Sequence, residues 1–141
     1  MPRFKKLTVK EIFKETDKFS SPFGRFNSIL SLVDLCRLNK ASKEIAEKIN
    51  DLYIFGVADG IGGHAGGEFA SKIAIVELKE AIKRKGENGL KEGFKKANDT
   101  IFNENERRQS NMGTTLVVCV VKEETDEYVV ANVGDSRAYI F

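Results

Sequence analysis

The chain has 141 residues, of which 41% are hydrophobic and 31% charged, enough for one core of a single domain and too little for two. Its 23 basic and 21 acidic residues nearly cancel to +2, and the basic residues are dispersed, which argues against a nucleic-acid surface. No apolar run reaches the length of a membrane span. Cys36 and Cys119 stand far apart without metal-ligand spacing, so they read as two reduced thiols and the chain as cytoplasmic.

In chain order, residues 1–20 carry a weak helical pattern, with Thr8 as a cap and Val9, Ile12 and Phe13 on one face, and are assigned to an N-terminal extension. The turn-rich residues 20–24 mark the start of the compact domain, taken as 21–141. Residues 27–36 read as a first strand. Ser42 is placed as the cap of a short helix with Ile45 and Ile49 one turn apart. The apolar run LYIFGVAD reads as a strand covered on both faces and ending in Asp59.

Helical spacing of Phe69, Ile73, Val76 and Ile82 predicts a helix over 67–85, closed by cations and a glycine. Leu90, Phe94, Ala97 and Ile101 predict a second over 89–107, with a charged outer face. Strands follow: GTTLVVCVV as one, EYVVANVG as the next across a charged hairpin loop, and RAYIF as the start of another. The order β, β, α, α, β, β, β lacks the alternation of a doubly wound parallel sheet. It predicts an α+β fold with a helical pair on a largely antiparallel sheet.

The densest signal is IFGVADGIGGHAGGEFAS at 54–71. A carboxylate ending a buried strand, followed by glycines that admit close approach, suits a hard divalent cation that takes oxygen ligands. An ordinary strand-to-helix turn accounts for the same residues equally well. A phosphate cradle fits poorly, since neither the lysine of a P-loop nor the register of a dinucleotide fingerprint is present. Gly62, Gly63 and His64 are assigned to the turn itself. His64, the only histidine, has no partner at zinc-ligand spacing and is assigned to bracing that turn through hydrogen bonds rather than to proton transfer.

FGVADGIGGHAGGEFAS resembles the D-G-x-G-G-H signature of the metal-dependent protein Ser/Thr phosphatases of the protein phosphatase 2C family. MGTTLVVCVV with VANVGDSRAYIF is similar to that family's G-T-T strand and A-N-x-G-D-S-R hairpin, in the same order and with two helices between. The resemblance covers roughly 23–141. It implies a layered α+β fold of antiparallel sheets with a helical pair on one face. It also implies hydrolysis of phosphoserine and phosphothreonine in phosphoprotein substrates, through attack of a hydroxide bridging two Mg²⁺ or Mn²⁺ ions. By the same resemblance Asp59 bridges the two metals, the Gly60 carbonyl ligates one of them, and Asp135 belongs to a third, weaker metal. Ile61 stands where many eukaryotic members carry a histidine.

The family's early R-x-x-N-[EQ]-D signature has only a shortened counterpart, Arg37-Leu38-Asn39-Lys40-Ala41. Arg37 is the candidate phosphate-binding residue, since a guanidinium grips phosphate oxygens bidentately, and Arg25 is a second candidate. The family also carries a second D-G motif and a D-N motif beyond the stretch matched here. The expectation is therefore the N-terminal part of a phosphatase domain, incomplete by itself. The alternative is a phosphatase-like regulatory or binding module in which Lys40 and Ala41 record lost catalysis.

Overall fold

The computed structural model describes residues 41–62 and 64–139. Arg25, Arg37, Gly63, the extension at 1–20 and the strand expected at 27–36 lie outside them. The described residues run β1 (Ser42–Ile49), β2 (Leu52–Ile61), α1 (His64–Lys85), a 3-10 turn at Gly86–Asn88, α2 (Gly89–Arg108), β3 (Gly113–Thr114), β4 (Leu116–Lys122) and β5 (Tyr128–Val133). The sheet is antiparallel throughout in the order β1-β2-β4-β5, with β3 pairing the far end of β2.

The short helix expected after Ser42 is instead strand β1. Ile45 and Ile49 are four residues apart, a spacing that places them on one face of a helix and equally on one face of a strand. Asn50 decides between them: at φ 55 it takes the left-handed turn conformation that asparagine tolerates, and the chain folds back so that Ile49 faces Leu52. The pairing then continues to Ser42 opposite Asp59.

Alternation along the strands sends Ile45, Ile49, Leu52, Ile54, Ala58, Leu116, Val118 and Val120 toward the helices. There they meet Ala74, Leu78 and Ile82 of α1 and Leu90 and Ala97 of α2. Each fully buried branched aliphatic side chain contributes on the order of 1.5–3 kcal/mol, so this two-layer core holds the helical pair to the sheet. Val117 and Val121, on the opposite face of β4, are also buried. Half-exposed ion pairs, Lys79 with Glu47 at 2.6 Å and Lys43 with Glu68 at 3.4 Å, tie β1 to α1 at the rim.

Helix α1 begins three residues before the position periodicity indicates, taking Gly66 and Gly67 into its first turns. At its far end Lys83, Arg84 and Lys85 complement the helix dipole. The GTTLVVCVV segment is two strands rather than one, interrupted at Thr115. Residues 137–139 form no regular element, so the strand expected at RAYIF is absent there. Tyr139 is exposed, away from the core. Among the described residues no helix is long and apolar enough to cross a membrane.

Candidate functional site

Asp59 lies near the end of β2. Its neighbours Ala58 and, by alternation, Gly60 face the helices, so its side chain points to the opposite face of the sheet. There it meets Ser42, its cross-strand partner, whose Oγ donates to Asp59 Oδ1 at 2.8 Å. The bond holds the carboxylate at one oxygen and sets the direction of the other.

The backbone of Asp59 is held from the other side by Thr115. The Asp59 N–H donates to Thr115 Oγ1 at 3.1 Å, and the Thr115 N–H donates back to the Asp59 carbonyl at 3.0 Å. The Thr115 hydroxyl also lies 2.6 Å from that of Ser136. Ser136 follows Asp135, which is exposed in the bend after β5. The G-T-T and G-D-S segments, 20 residues apart as counted from Thr115 to Asp135, thus converge on the β2 terminus.

Gly60 pairs with Thr114, and its N–H donates to the Ala41 carbonyl at 3.0 Å. A side chain at 60 would collide with the backbone carbonyl of Gly67 in α1, and one at 67 would come within 2.9 Å of the Gly60 carbonyl. The two glycines therefore let strand and helix backbones touch. Gly62 follows at φ 115, a conformation that L side chains rarely adopt, with the Met112 backbone against it. His64 opens α1.

The donors gathered here are a carboxylate, peptide carbonyls and hydroxyls, all oxygen. That is the set a hard divalent cation takes, and Asp59 carries the charge such an ion requires. Among the described residues no group of three or more His, Cys, Asp or Glu side chains is placed to hold a metal. The residues fit a hard cation in kind and would supply only part of its shell.

Ser42, Thr115 and Ser136 are the site residues that sequence reasoning missed. A hydroxyl within an apolar strand is the signal Thr115 offered, but its meaning depends on which residue lies opposite.

The protein-family model for protein phosphatase 2C matches residues 20–141. The serine/threonine phosphatases stp of Listeria monocytogenes and Listeria innocua are each 37% identical over 94 residues, 60% of this chain and 36% of the relative. The chain thus spans little more than a third of the curated relatives it matches. Among solved structures, the PPM Ser-Thr phosphatase MsPP of Mycobacterium smegmatis, in complex with cacodylate, superposes with a TM-score of 0.58 at 31% identity. That match covers 68% of this chain and 40% of that one. The serine/threonine phosphatase PstP/Ppp of Mycobacterium tuberculosis matches with a TM-score of 0.58 at 26% identity, over 69% and 41%. The catalytic domain of PstP in complex with two manganese ions matches with a TM-score of 0.57 at 27% identity, over 69% and 42%. With an antiparallel sheet carrying a helical pair, and with a family match across nearly its whole length, the chain belongs to the protein phosphatase 2C family.

Proposed function

We propose that the chain serves metal-dependent hydrolysis of phosphoserine and phosphothreonine in protein substrates, as part of a phosphatase domain of which it forms the amino-terminal portion. The observation that carries this reading is Asp59 itself, a carboxylate near the end of a strand. Ser42 holds it at one side-chain oxygen and Thr115 at both neighbouring peptide groups, beside the turn that bears Asp135. The Asp59 carboxylate and the Gly60 carbonyl would hold Mg²⁺ or Mn²⁺, with Asp135 at a weaker position. When bound, the dications supply Lewis-acid polarisation of the phosphoryl group and lower the pKa of water at the site.

The chain's own residues orient and shape. Ser42 directs one lone pair of Asp59, and the Gly60–Gly67 contact fixes where the Gly60 carbonyl can point. Ile61, exposed beside the site, has no proton to give the departing serine or threonine oxygen, so water provides it. Arg37 is the proposed phosphate grip, with Arg25 as the alternative, since either guanidinium offers paired donors to phosphate oxygens.

A second reading, a phosphatase-like module without catalysis, draws on the lack of a multi-carboxylate cluster among the described residues and on Lys40-Ala41. One experiment separates the two. Phosphate release from a phosphoserine peptide is measured with and without Mn²⁺, using the product of the full reading frame. The enzymatic reading expects Mn²⁺-dependent turnover that Asp59→Asn lowers by at least about 100-fold, the upper end of what even an outer-shell partner is worth. Absence of metal-dependent turnover rejects it in favour of the non-catalytic module.

A further inference from the structure

Asp59 and Thr115 face each other in a register shared on both sides of them, because Gly60 pairs with Thr114 and Val57 with Val117. In a regular hydrogen-bonded antiparallel pair, two such residues exchange both N–H to carbonyl bonds. Only one is made here, from the Thr115 N–H to the Asp59 carbonyl at 3.0 Å. The Asp59 N–H turns to the Thr115 side chain at 3.1 Å, while the Thr115 carbonyl accepts from the Thr114 hydroxyl at 2.9 Å. The ladder opens at this one step, and a side-chain oxygen replaces the main-chain acceptor.

A hydroxyl has one proton and two lone pairs, so Thr115 Oγ1 accepts from Asp59 and still bonds Ser136 at 2.6 Å. Both peptide planes flanking Asp59 are thereby held by one residue, and with them the direction of its Cα–Cβ bond. The same oxygen fastens the residue next to Asp135.

We infer that Thr115 is a positioning residue for cation binding: its hydroxyl substitutes for a ladder carbonyl, orients the Asp59–Gly60 step and couples it to the Asp135–Ser136 turn. The inference rests on the reading of Asp59 and Gly60 as cation-bearing. It predicts that oxygen at position 115, rather than bulk, sets affinity.

The test is Mn²⁺ affinity by titration calorimetry, together with amide hydrogen exchange at Asp59, in the product of the full reading frame. Thr115→Val keeps the volume and the main-chain bond but removes the oxygen. It should weaken Mn²⁺ binding by about 10-fold, the lower range for loss of an outer-shell partner, and speed exchange at Asp59 while leaving Ile54 and Val118 protected. Thr115→Ser should restore both, and Ser136→Ala should give a smaller loss of affinity. Unchanged affinity in Thr115→Val, or lost affinity without faster exchange at Asp59, overturns the inference while the cation site stands. A parent protein that neither binds Mn²⁺ nor hydrolyses phosphopeptide overturns the site and the inference together. If Thr115→Val does not fold, Ser136→Ala decides, and parent-like affinity there overturns the coupling.

Discussion

At Gly60 the backbones of β2 and α1 meet with no room for a methyl group, because the space is filled by the Gly67 carbonyl rather than by a side chain that can swing away. Gly60→Ala should therefore destabilise the fold by about 1–3 kcal/mol or more, the range for overpacking where neighbours cannot yield, as read by urea denaturation. Cys119 offers a second check at this scale. Burial pushes its thiol up, so little thiolate exists at neutral pH. Alkylation by iodoacetamide should be slower than for an unstructured cysteine and should accelerate with rising pH. The linked stabilisation is complete below the ordinary thiol value of about 8.5 and is lost as pH climbs through the raised one. The Asp59-Gly60 motif was legible at this scale because glycines and a carboxylate advertise themselves by type. Ser42 and Thr115 were not, since a hydroxyl acquires its role only from the atom opposite.

Among the elements, the link from α2 to β3 depends on Asn105. Its side-chain amide donates to the Met112 carbonyl at 2.8 Å, and its Oδ1 accepts from the Met112 N–H and the Ser110 hydroxyl, both at 2.9 Å. Met112 is buried against the Gly62 backbone, so Asn105 indirectly holds the glycine turn beside the site. Asn105→Ala strands two backbone groups of Met112 and should cost about 1–3 kcal/mol, measured by thermal unfolding.

The outer surface of α2 is bound differently. The Glu104 carboxyl is held below its usual range by hydrogen bonds from Arg107 and then Arg108, and Glu92 likewise by Lys85 and then Arg84. A depressed carboxylate stabilises the fold above its unfolded value and loses that contribution as pH falls through the folded one. Helical signal from α2 should accordingly decline only in acid, below the ordinary glutamate value of about 4.3, with modest amplitude because these pairs are exposed. Arg108 also lies over the Phe69 ring at 4.1 Å, which pins the end of α2 to the start of α1. Both helices were legible as elements from periodicity, but the inner face of α1 was not, since Val76 of the expected stripe is exposed and Ala74 and Leu78 join Ile82 at the core instead. The eight residues of β1 were not, since two isoleucines four apart satisfy both periods and only the Asn50 turn and the partner strand separate them.

For the molecule as a whole, β5 borders the described sheet with Tyr128, Val129, Val130 and Val133 exposed. An apolar edge strand is a template for pairing with another chain. The 141-residue chain alone should self-associate with rising concentration in sedimentation velocity, and Val130→Lys should suppress it.

The sequence by itself determined the α+β class, the helical pair, the strand that carries Asp59 (though not its continuation to Ile61) and the family, because each rests on local periodicity or on contiguous motifs. Only the tertiary structure decided that 42–49 is a strand, that Gly60 and Gly67 serve backbone contact, and that Thr115 gathers Asp59 and Ser136. Those outcomes depend on register and on backbone approach between segments distant in the chain, and no local pattern encodes which atoms will stand opposite one another.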